Sequence, residues 1–226
     1  MQSATLEASE PVLIAVIDYD MGNLHSACKG LERAGARTLV TNRPEDLEQA
    51  AAVVLPGVGA FDPAMQHLRS RDLEGPIRAV VASGKPFLGI CLGLQILFEG
   101  SEEGIEPGLG LLPGVVKRFA TEPSLTIPHM GWNQLDLVQK DCALWQGLSE
   151  QSWVYFVHSY YVQPSDPAVC AATVCHGSQT VTAAVAQDNL MAVQFHPEKS
   201  STAGLQILAN FVAQVKRRQQ QYALAH

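Results

Sequence analysis

Residues 86–93 read PFLGICLG, a short apolar run that ends at a cysteine with a glycine two positions away on either side. The run predicts a buried strand that stops at Cys91 and Gly93, before a further apolar segment. The form Gly-x-nucleophile-x-Gly between a strand and a helix is typical of a nucleophile elbow, whose sharp turn strains the nucleophile's backbone. Side chains at the two glycine positions would collide with neighbouring backbone. A structural cysteine between incidental glycines remains the alternative for this pentapeptide alone.

The chain before this stretch alternates apolar runs with helical patterns. Strands are predicted at residues 12–17, 36–40 and 51–57, the last of them entering a Gly-rich turn at 56–59. Helices are predicted at residues 23–34, 62–68 and 73–83. Such alternation indicates an open parallel sheet with right-handed crossovers. Ligands in these sheets bind beyond the carboxyl ends of the strands, where both the Gly-rich turn and Cys91 lie.

The second half of the chain changes character. Strand-like runs occur at residues 153–162, 169–175, 180–186 and 190–196, and a final helix is predicted at 204–219. A polar turn between the last two strands indicates a hairpin. The predicted fold class is therefore α/β, with an open, mostly parallel sheet flanked by helices and an antiparallel extension in the second half.

The composition suits one globular domain. A chain of 226 residues with 47% hydrophobic and 16% charged residues can bury the core of a single α/β domain. We expect a flexible N-terminal tail at residues 1–10, because this segment lacks the basic start and apolar run of a signal peptide. Residues 11–226 are expected to form one domain. No stretch approaches the roughly 20 apolar residues that span a bilayer, so no membrane association is expected.

The charge balance argues against a nucleic-acid partner. The net charge is −7 and the sequence pI is about 5.4, so the chain offers no basic field to a polyphosphate. The one basic cluster lies at residues 216–218. We interpret it as the last turn of the C-terminal helix, where cations complement the helix dipole.

The cysteines do not suggest a disulfide framework. They are five in number and irregularly spaced, which favours a reducing, cytoplasmic location. Cys170, Cys175 and the adjacent His176 resemble part of a metal cluster, but no second pair completes four ligands. We expect no metal and no cofactor, and we interpret these cysteines as buried strand residues.

A reactive thiolate needs a proton carrier, and a carboxylate that holds the carrier's tautomer. His196 and Glu198 can supply both, because they lie two residues apart at the end of a predicted strand with Pro197 between them. A surface strand end is the alternative for this tripeptide alone. His158 lies within a predicted strand and is interpreted as a packed or pocket-lining residue.

Acyl chemistry also needs donors directed at a developing oxyanion. The candidates are the backbone amides of Gly57, Val58 and Gly59 in the Gly-rich turn, and that of Leu92 just after the nucleophile. A Gly-rich turn by itself is usually only a turn. Here the cysteine, the His-Glu pair and the turn converge on one edge of the predicted sheet, which favours an active site.

These motifs resemble those of the class I glutamine amidotransferases. The matching segments are GICLGLQ at 89–95 and VQFHPEKS at 193–200. Within that family the chain is similar to the glutaminase subunits of imidazole glycerol phosphate synthases. That similarity lies in IDYDMGNLHS at 17–26, PGVGAF at 56–61, IPHMGWN at 127–133 and YFVHSY at 155–160. It covers about residues 12–211, and several family members have glycine where this chain has Asp20.

The resemblance implies a thioester mechanism for the hydrolysis of L-glutamine. Cys91 would attack the side-chain amide, His196 would protonate the departing ammonia, and Glu198 would orient His196. Water would then release glutamate, with His196 as the base. Gln95 and the backbone of His158, Ser159 and Tyr160 would hold the amino-acid end of the substrate.

The resemblance also implies a partner. In this subfamily the partner is a (β/α)8-barrel cyclase, which forms a heterodimer and receives ammonia through an internal passage. The pair converts a phosphoribulosyl aminoimidazole carboxamide nucleotide into imidazole glycerol phosphate and AICAR in histidine biosynthesis. Trp132, Tyr155 and Lys199 would lie towards the cyclase. Packing of Trp132 in the core is the alternative for that residue.

Two other functions stay open at this point. The first keeps glutamine hydrolysis but pairs the chain with another synthase, and only PGVG and PHMGWN argue against it. The second is a catalytically idle regulatory subunit that binds glutamine, which the intact Cys, His and Glu set disfavours. If the chain is a glutaminase, we expect it to be a poor enzyme alone and to be activated by a liganded partner through rearrangement of residues 56–59.

Overall fold

The computed structural model describes residues 10–123 and 125–225. The predicted tail at 1–10 therefore lies, apart from Glu10, outside the described residues. The strands of the described part are β1 Leu13–Ile17, β2 Arg37–Thr41, β3 Ala52–Gly57, β4 Phe87–Cys91, β5 Gly100–Ser101, β6 Gly114–Arg118, β7 His129–Gln134, β8 Asp136–Leu137, β9 Trp153–His158, β10 Tyr160–Pro164, β11 Cys170–His176, β12 Gln179–Gln187 and β13 Leu190–Val193. The α-helices of the described part are α1 Leu24–Arg33, α2 Pro44–Gln49, α3 Phe61–Ser70, α4 Glu74–Ala82, α5 Leu92–Gln95 and α6 Ser201–Ala225.

One large sheet runs through the molecule in the order β2-β1-β3-β4-β13-β12-β11-β8. The five strands from β2 to β13 run parallel to one another, and β12, β11 and β8 continue the sheet in antiparallel pairing. The predicted parallel sheet with an antiparallel extension is thus confirmed. The hairpin between β12 and β13 is also present, and Asp188 in its turn has φ 53°.

The parallel strands are buried on both faces, which accounts for their continuous apolar runs. On β1, Ile14 and Val16 pack in one core with the apolar stripes of α1 and α6. Ala15 and Ile17 pack in a second core with α2, α3 and α4. Helices therefore cover both faces of the parallel part of the sheet, which leaves its strand ends accessible to a ligand.

The first half follows the predicted order with one omission. Asn23 caps α1 through a hydrogen bond from the Ser26 amide, and Gly35 follows the helix with φ 87°. The missed element is α2, which has proline at its start and buries Leu47 alone. A helix this short carries too little apolar periodicity to be recognised from sequence.

Two small sheets were not predicted in full. They are β10-β6-β5 and β7-β9. The apolar run at 153–162 forms two strands rather than one, because the strand is interrupted at Ser159. β9 pairs with β7, whereas β10 pairs with β6. This break brings two different sheets together at residues 158–160.

The C-terminal helix is longer than predicted, running from Ser201 to Ala225. The interpretation of residues 216–218 as its last turn is therefore wrong, since the helix continues beyond Arg218. The side chain of Arg218 donates to the carbonyl oxygen of Gly84, which lies just after the end of α4. This cation therefore contributes to tertiary packing. Among the described residues, no helix is both long and apolar enough to cross a membrane.

The conformation of the loop after β1 explains why Asp20 occupies a position where several family members have glycine. This residue has φ 64°, in the left-handed region that favours glycine, which accounts for glycine as an alternative at this position. Its carboxylate forms a salt bridge with the Arg71 guanidinium. The charge pair ties the loop to the end of α3.

Candidate active site

The strand-to-helix turn predicted around Cys91 is present at the carboxyl end of β4. Cys91 has φ 57° and ψ −111°, a strained conformation for a residue with a side chain. A Cβ atom at Gly93 would lie 1.9 Å from the Leu55 carbonyl oxygen, and one at Gly89 would lie 2.9 Å from the Gly93 carbonyl oxygen. The glycines are therefore required by close backbone approach. The helix that follows, α5, is a single turn, so it contributes less dipole to the thiol than a long helix would.

His196 and Glu198 lie beside Cys91 because β13 and β4 are adjacent and parallel. Their register pairs Val193 with Ile90, so both strands end at the same edge of the sheet. His196 Nδ1–H donates to Glu198 Oε1 over 2.8 Å, and both side chains are 3% exposed. The sheet thus brings together residues that are far apart in sequence.

The environment of His196 favours its protonated form. Burial lowers the pKa, but hydrogen bonds and charge interactions with Cys91 and Glu198 outweigh burial and raise the pKa of His196 to about 9. The ring therefore carries a proton at neutral pH. An imidazolium beside a thiol is the arrangement that activates cysteine nucleophiles.

The Gly-rich turn lies next to the nucleophile, since Gly57 on β3 pairs in register with Cys91. The backbone amide of Val58 donates to the Met21 carbonyl oxygen over 2.9 Å. In this conformation the Val58 N–H is therefore occupied by a hydrogen bond to the loop after β1. Gly59 has φ 101°, which leaves the neighbouring peptide units able to reorient at little steric cost.

A cavity of about 330 Å³ opens at this edge of the sheet. Most of the residues predicted for the site line it: Val58, Gly59, Cys91, Leu92, Gln95, His158, Ser159, Tyr160 and His196. Gly57 and Glu198 lie directly behind this wall, around a smaller void that they share with Val58 and His196. The cavity is large enough for an amino acid and combines a nucleophile, a proton donor and polar groups.

Two residues of the site were missed from sequence. Glu103 lines the cavity, and its carboxylate accepts a hydrogen bond from the Phe61 amide. Gln194 is fully buried and its Nε2 lies 3.8 Å from Cys91 Sγ. The position of Gln194 two residues before His196 was a usable signal. Glu103 had none, because it lies in an irregular segment that reaches the site only through tertiary packing.

His158 forms part of a buried polar chain. His158 Nδ1–H donates to the Tyr160 carbonyl oxygen over 2.8 Å, so its Nε2 accepts from His129 Nδ1–H over 2.9 Å. His129 Nε2 in turn accepts from Asn133 Nδ2 over 3.1 Å. Burial lowers the pKa of His158 to about 3 and that of His129 to about 4, so both rings are neutral. This agrees with the interpretation of His158 as a packed residue that lines the pocket.

The residues expected at the partner interface lie together on and beside the β7–β9 ribbon. Trp132 is 49% exposed and pairs in register with Tyr155, the two rings meeting edge to face at 6.1 Å. Lys199 is exposed and follows Glu198 directly. Packing of Trp132 in the core is therefore ruled out for the chain alone.

The remaining cysteines take no part in this site. All five are free. The expectation that Cys170 and Cys175 are buried is wrong, since Cys170 is partly buried and Cys175 is exposed. No group of three or more His, Cys, Asp or Glu side chains suited to hold a metal ion occurs within residues 10–123 and 125–225.

Comparison with known proteins gives consistent matches. The family model for class-I glutamine amidotransferases matches residues 15–215. Subunit HisH of imidazole glycerol phosphate synthase from Acaryochloris marina is 74% identical over 204 residues, covering 90% of this chain and 95% of that one. The corresponding subunit from Cyanothece sp. is 75% identical, covering 90% of this chain and 97% of that one.

Two solved structures have the same fold. PurLQS from Thermotoga maritima matches with a TM-score of 0.70 at 19% identity, covering 91% of this chain and 99% of that one. A crystal structure of a glutamine amidotransferase matches with a TM-score of 0.68 at 22% identity, covering 90% of this chain and 98% of that one. Because the family model spans most of the chain and the HisH relatives are so similar, the chain belongs to the class-I glutamine amidotransferases and, within them, to the HisH family.

Proposed function

We propose that this chain is the glutaminase subunit of an imidazole glycerol phosphate synthase, hydrolysing L-glutamine to glutamate and ammonia. The observation that carries the proposal is the buried His196–Glu198 pair beside a strained Cys91 in an amino-acid-sized cavity. The identity with HisH relatives supports this synthase over others. Residues 11–226 would form a single glutamine amidotransferase domain, as the span of the family model suggests.

The proposed chemistry begins with a thiolate at Cys91. The sulfur attacks the carboxamide carbon, the C–N bond breaks, and the proton on His196 Nε2 leaves with the ammonia. The raised pKa of His196 supports this order, because the ring already holds the proton that the leaving group needs. Water then attacks the glutamyl thioester while neutral His196 takes its proton, and Glu198 holds the ring throughout.

The cavity wall offers separate partners for the two ends of the substrate. Gln95 and residues 158–160 line the same cavity as the nucleophile, and Gln95 with the backbone of 158–160 would hold the amino-acid end. The Glu103 carboxylate would add an anionic partner for the α-ammonium group. Leu92 and the turn at Gly57, Val58 and Gly59 would contribute the oxyanion donors.

The β7–β9 ribbon supports a protein partner at the mouth of the site. One face of it is buried, whereas the other carries Met130, Trp132 and Trp153, which are 66%, 49% and 52% exposed. Exposed aromatic side chains in one patch are typical of interface anchors. We propose that this face, with Tyr155 and Lys199, binds a (β/α)8-barrel cyclase as a heterodimer, and that ammonia passes to that partner.

The proposal is tested with a Cys91→Ala variant. The complex with the cyclase should lose glutamine hydrolysis below detection but keep ammonia-dependent formation of imidazole glycerol phosphate, because only the thiolate forms the acyl intermediate. Cys175→Ala serves as the matched control and should retain glutaminase activity, since Cys175 is exposed and does not line the cavity. Glutamate release by the Cys91→Ala complex would refute the assignment. If the complex did not form imidazole glycerol phosphate from free ammonia, the cyclase would be refuted as the partner.

A further inference from the structure

Gln194 is a fully buried side chain that contacts the nucleophile, and the mechanism above gives it no role. Its Nε2 lies 3.8 Å from Cys91 Sγ, within hydrogen-bonding range for sulfur. Its backbone amide donates to the Ala183 carbonyl oxygen over 2.8 Å, which fixes the main chain from which the side chain extends. We propose that Gln194 is a further catalytic residue, whose side-chain amide donates a hydrogen bond to the Cys91 thiolate. The inference rests on the proposed glutaminase function.

The neighbours of Gln194 decide which end of its amide faces the sulfur. Gln95 Nε2 lies 3.1 Å from the Tyr160 carbonyl oxygen and 3.1 Å from Gln194 Oε1. A main-chain carbonyl can only accept, so the Gln95 group next to it is the NH2. Gln194 must then accept from Gln95 with its oxygen. Its own NH2 consequently points at Cys91.

A donor at this position adds to what His196 supplies when the thiolate is released. In deacylation, water adds to the thioester and gives its proton to His196, and the C–S bond then breaks with its electron pair left on sulfur beside the imidazolium. The side-chain amide N–H of Gln194 is a second donor to that thiolate, and it exchanges no proton during the reaction. The other titratable groups facing the sulfur are His196 and Tyr19, and burial keeps the Tyr19 hydroxyl protonated by raising its pKa.

The same hydrogen bonds link the nucleophile to the substrate-binding wall. Both bonds of Gln95 Nε2 are made inside the protein, which leaves Oε1 of Gln95 as the group available to the cavity. An amide oxygen is an acceptor, so it suits the α-ammonium group of an amino acid. Gln194 therefore holds the Gln95 amide in the orientation that this recognition requires.

Alkylation of Cys91 by iodoacetamide measures the thiolate without requiring turnover. The isolated chain is treated between pH 6 and 9, and the Cys91 peptide is quantified by mass spectrometry, which separates it from the other cysteines. Gln194→Met keeps the length of the side chain and removes the donor. We expect its alkylation at pH 7 to be about tenfold slower, with the pH profile moved upward by about one unit.

Two further variants keep the test decisive. Gln194→Asn withdraws the amide from the sulfur without adding apolar volume, and it should slow alkylation in the same direction; it decides the outcome if Gln194→Met fails to fold. Gln206→Met, on the exposed part of α6, should alkylate as the unmodified chain does. Variants of Gln194 that stay folded and alkylate at the unmodified rate across the pH range would overturn the proposal.

The assay separates this inference from the proposed function. It uses neither glutamine nor cyclase, so slower alkylation in the Gln194 variants stands even if the complex fails to hydrolyse glutamine. Failure of glutamine hydrolysis by the unmodified complex would instead refute the glutaminase proposal alone.

Discussion

At the scale of single residues, the contact between His196 and Glu198 separates two kinds of catalytic contribution. His196 is proposed to carry protons to and from the reacting atoms, whereas Glu198 holds the ring through a hydrogen bond of 2.8 Å. The same carboxylate is one cause of the raised pKa of His196. A change at Glu198 should therefore alter both the orientation and the protonation of the base.

Glutaminase kinetics of the cyclase complex can distinguish these roles. His196→Ala is expected to lower kcat by at least about 10³-fold, because it removes the proton carrier next to the nucleophile. Glu198→Gln should lower kcat less and should move the alkaline limb of the pH–rate profile to lower pH, since it removes a charge that favours the imidazolium. Equal losses in the two variants, with unchanged pH profiles, would contradict an orienting role for Glu198.

At the scale of elements, the turn at residues 56–59 is proposed to supply oxyanion donors. The Val58 amide donates to Met21, so its peptide unit must rotate before it can face a developing oxyanion. Loss of one such donor costs about 10²–10³-fold in turnover. The observed conformation thus supports a resting state that a partner activates.

This gating predicts a specific kinetic pattern. The isolated chain should hydrolyse glutamine slowly, and cyclase with its bound nucleotide should raise kcat by about 10²-fold or more with little change in KM, because the oxyanion contact exists only in the transition state. The measurement is steady-state glutaminase kinetics for the chain alone, with cyclase, and with liganded cyclase. Full activity in the isolated chain would disprove gating, and an effect on KM alone would point to Gln95.

The β7–β9 ribbon carries the prediction for the interface. Trp132→Ala should leave the fold intact, because the ring is half exposed, and should weaken cyclase binding by about 30-fold or more if the ring anchors the partner. Circular dichroism and titration calorimetry measure the two effects. Tyr222→Ala is the control, since this exposed ring lies at the opposite edge of the sheet, near Pro86. Unchanged affinity in Trp132→Ala would remove Trp132 from the interface.

Sequence predicted local elements better than their long-range pairing. The elbow around Cys91 and the strands of the parallel sheet follow from glycines and continuous apolar runs, which are local signals. The break at Ser159 could not be predicted, because only pairing with two different sheets divides the apolar run. Glu103 was missed for a related reason, because it reaches the site only through tertiary packing, whereas Gln194 had a local signal in its position two residues before His196.

At the scale of the whole molecule, buried histidines predict how stability depends on pH. Unfolded histidine has a pKa near 6.5, whereas folded His129 and His158 have pKa values of about 4 and about 3. The unfolded chain therefore binds more protons, so this stability is complete above pH 6.5 and is lost as the pH falls towards 4. His196 has the opposite sign, since its raised pKa adds stability below 6.5 that is lost above pH 9.

The net effect can be measured by urea unfolding. When the pH falls from 7 to 5, each of the two buried rings should lower the free energy of unfolding by about 2 kcal/mol. His196 should raise it by somewhat under about 1 kcal/mol, so the net decrease should be about 3 kcal/mol. His129→Gln should reduce this fall by roughly two thirds, to about 1 kcal/mol. His25→Gln, at an exposed site on α1, should leave it unchanged. A free energy of unfolding that is equal at pH 7 and pH 5 would contradict the buried, neutral histidine pair.

The position of β13 between β4 and β12 has a consequence for the chain as it is being synthesised. The nucleophile emerges from the ribosome early, but the strand that carries its base comes roughly ten seconds later at usual elongation rates. Until β13 inserts, β4 presents an unpaired edge, and α6, which covers one face of the sheet, has not yet been made. The nascent chain consequently holds a cysteine without a proton carrier and cannot consume glutamine. The nucleophile and its base can therefore meet only after β13 has been made.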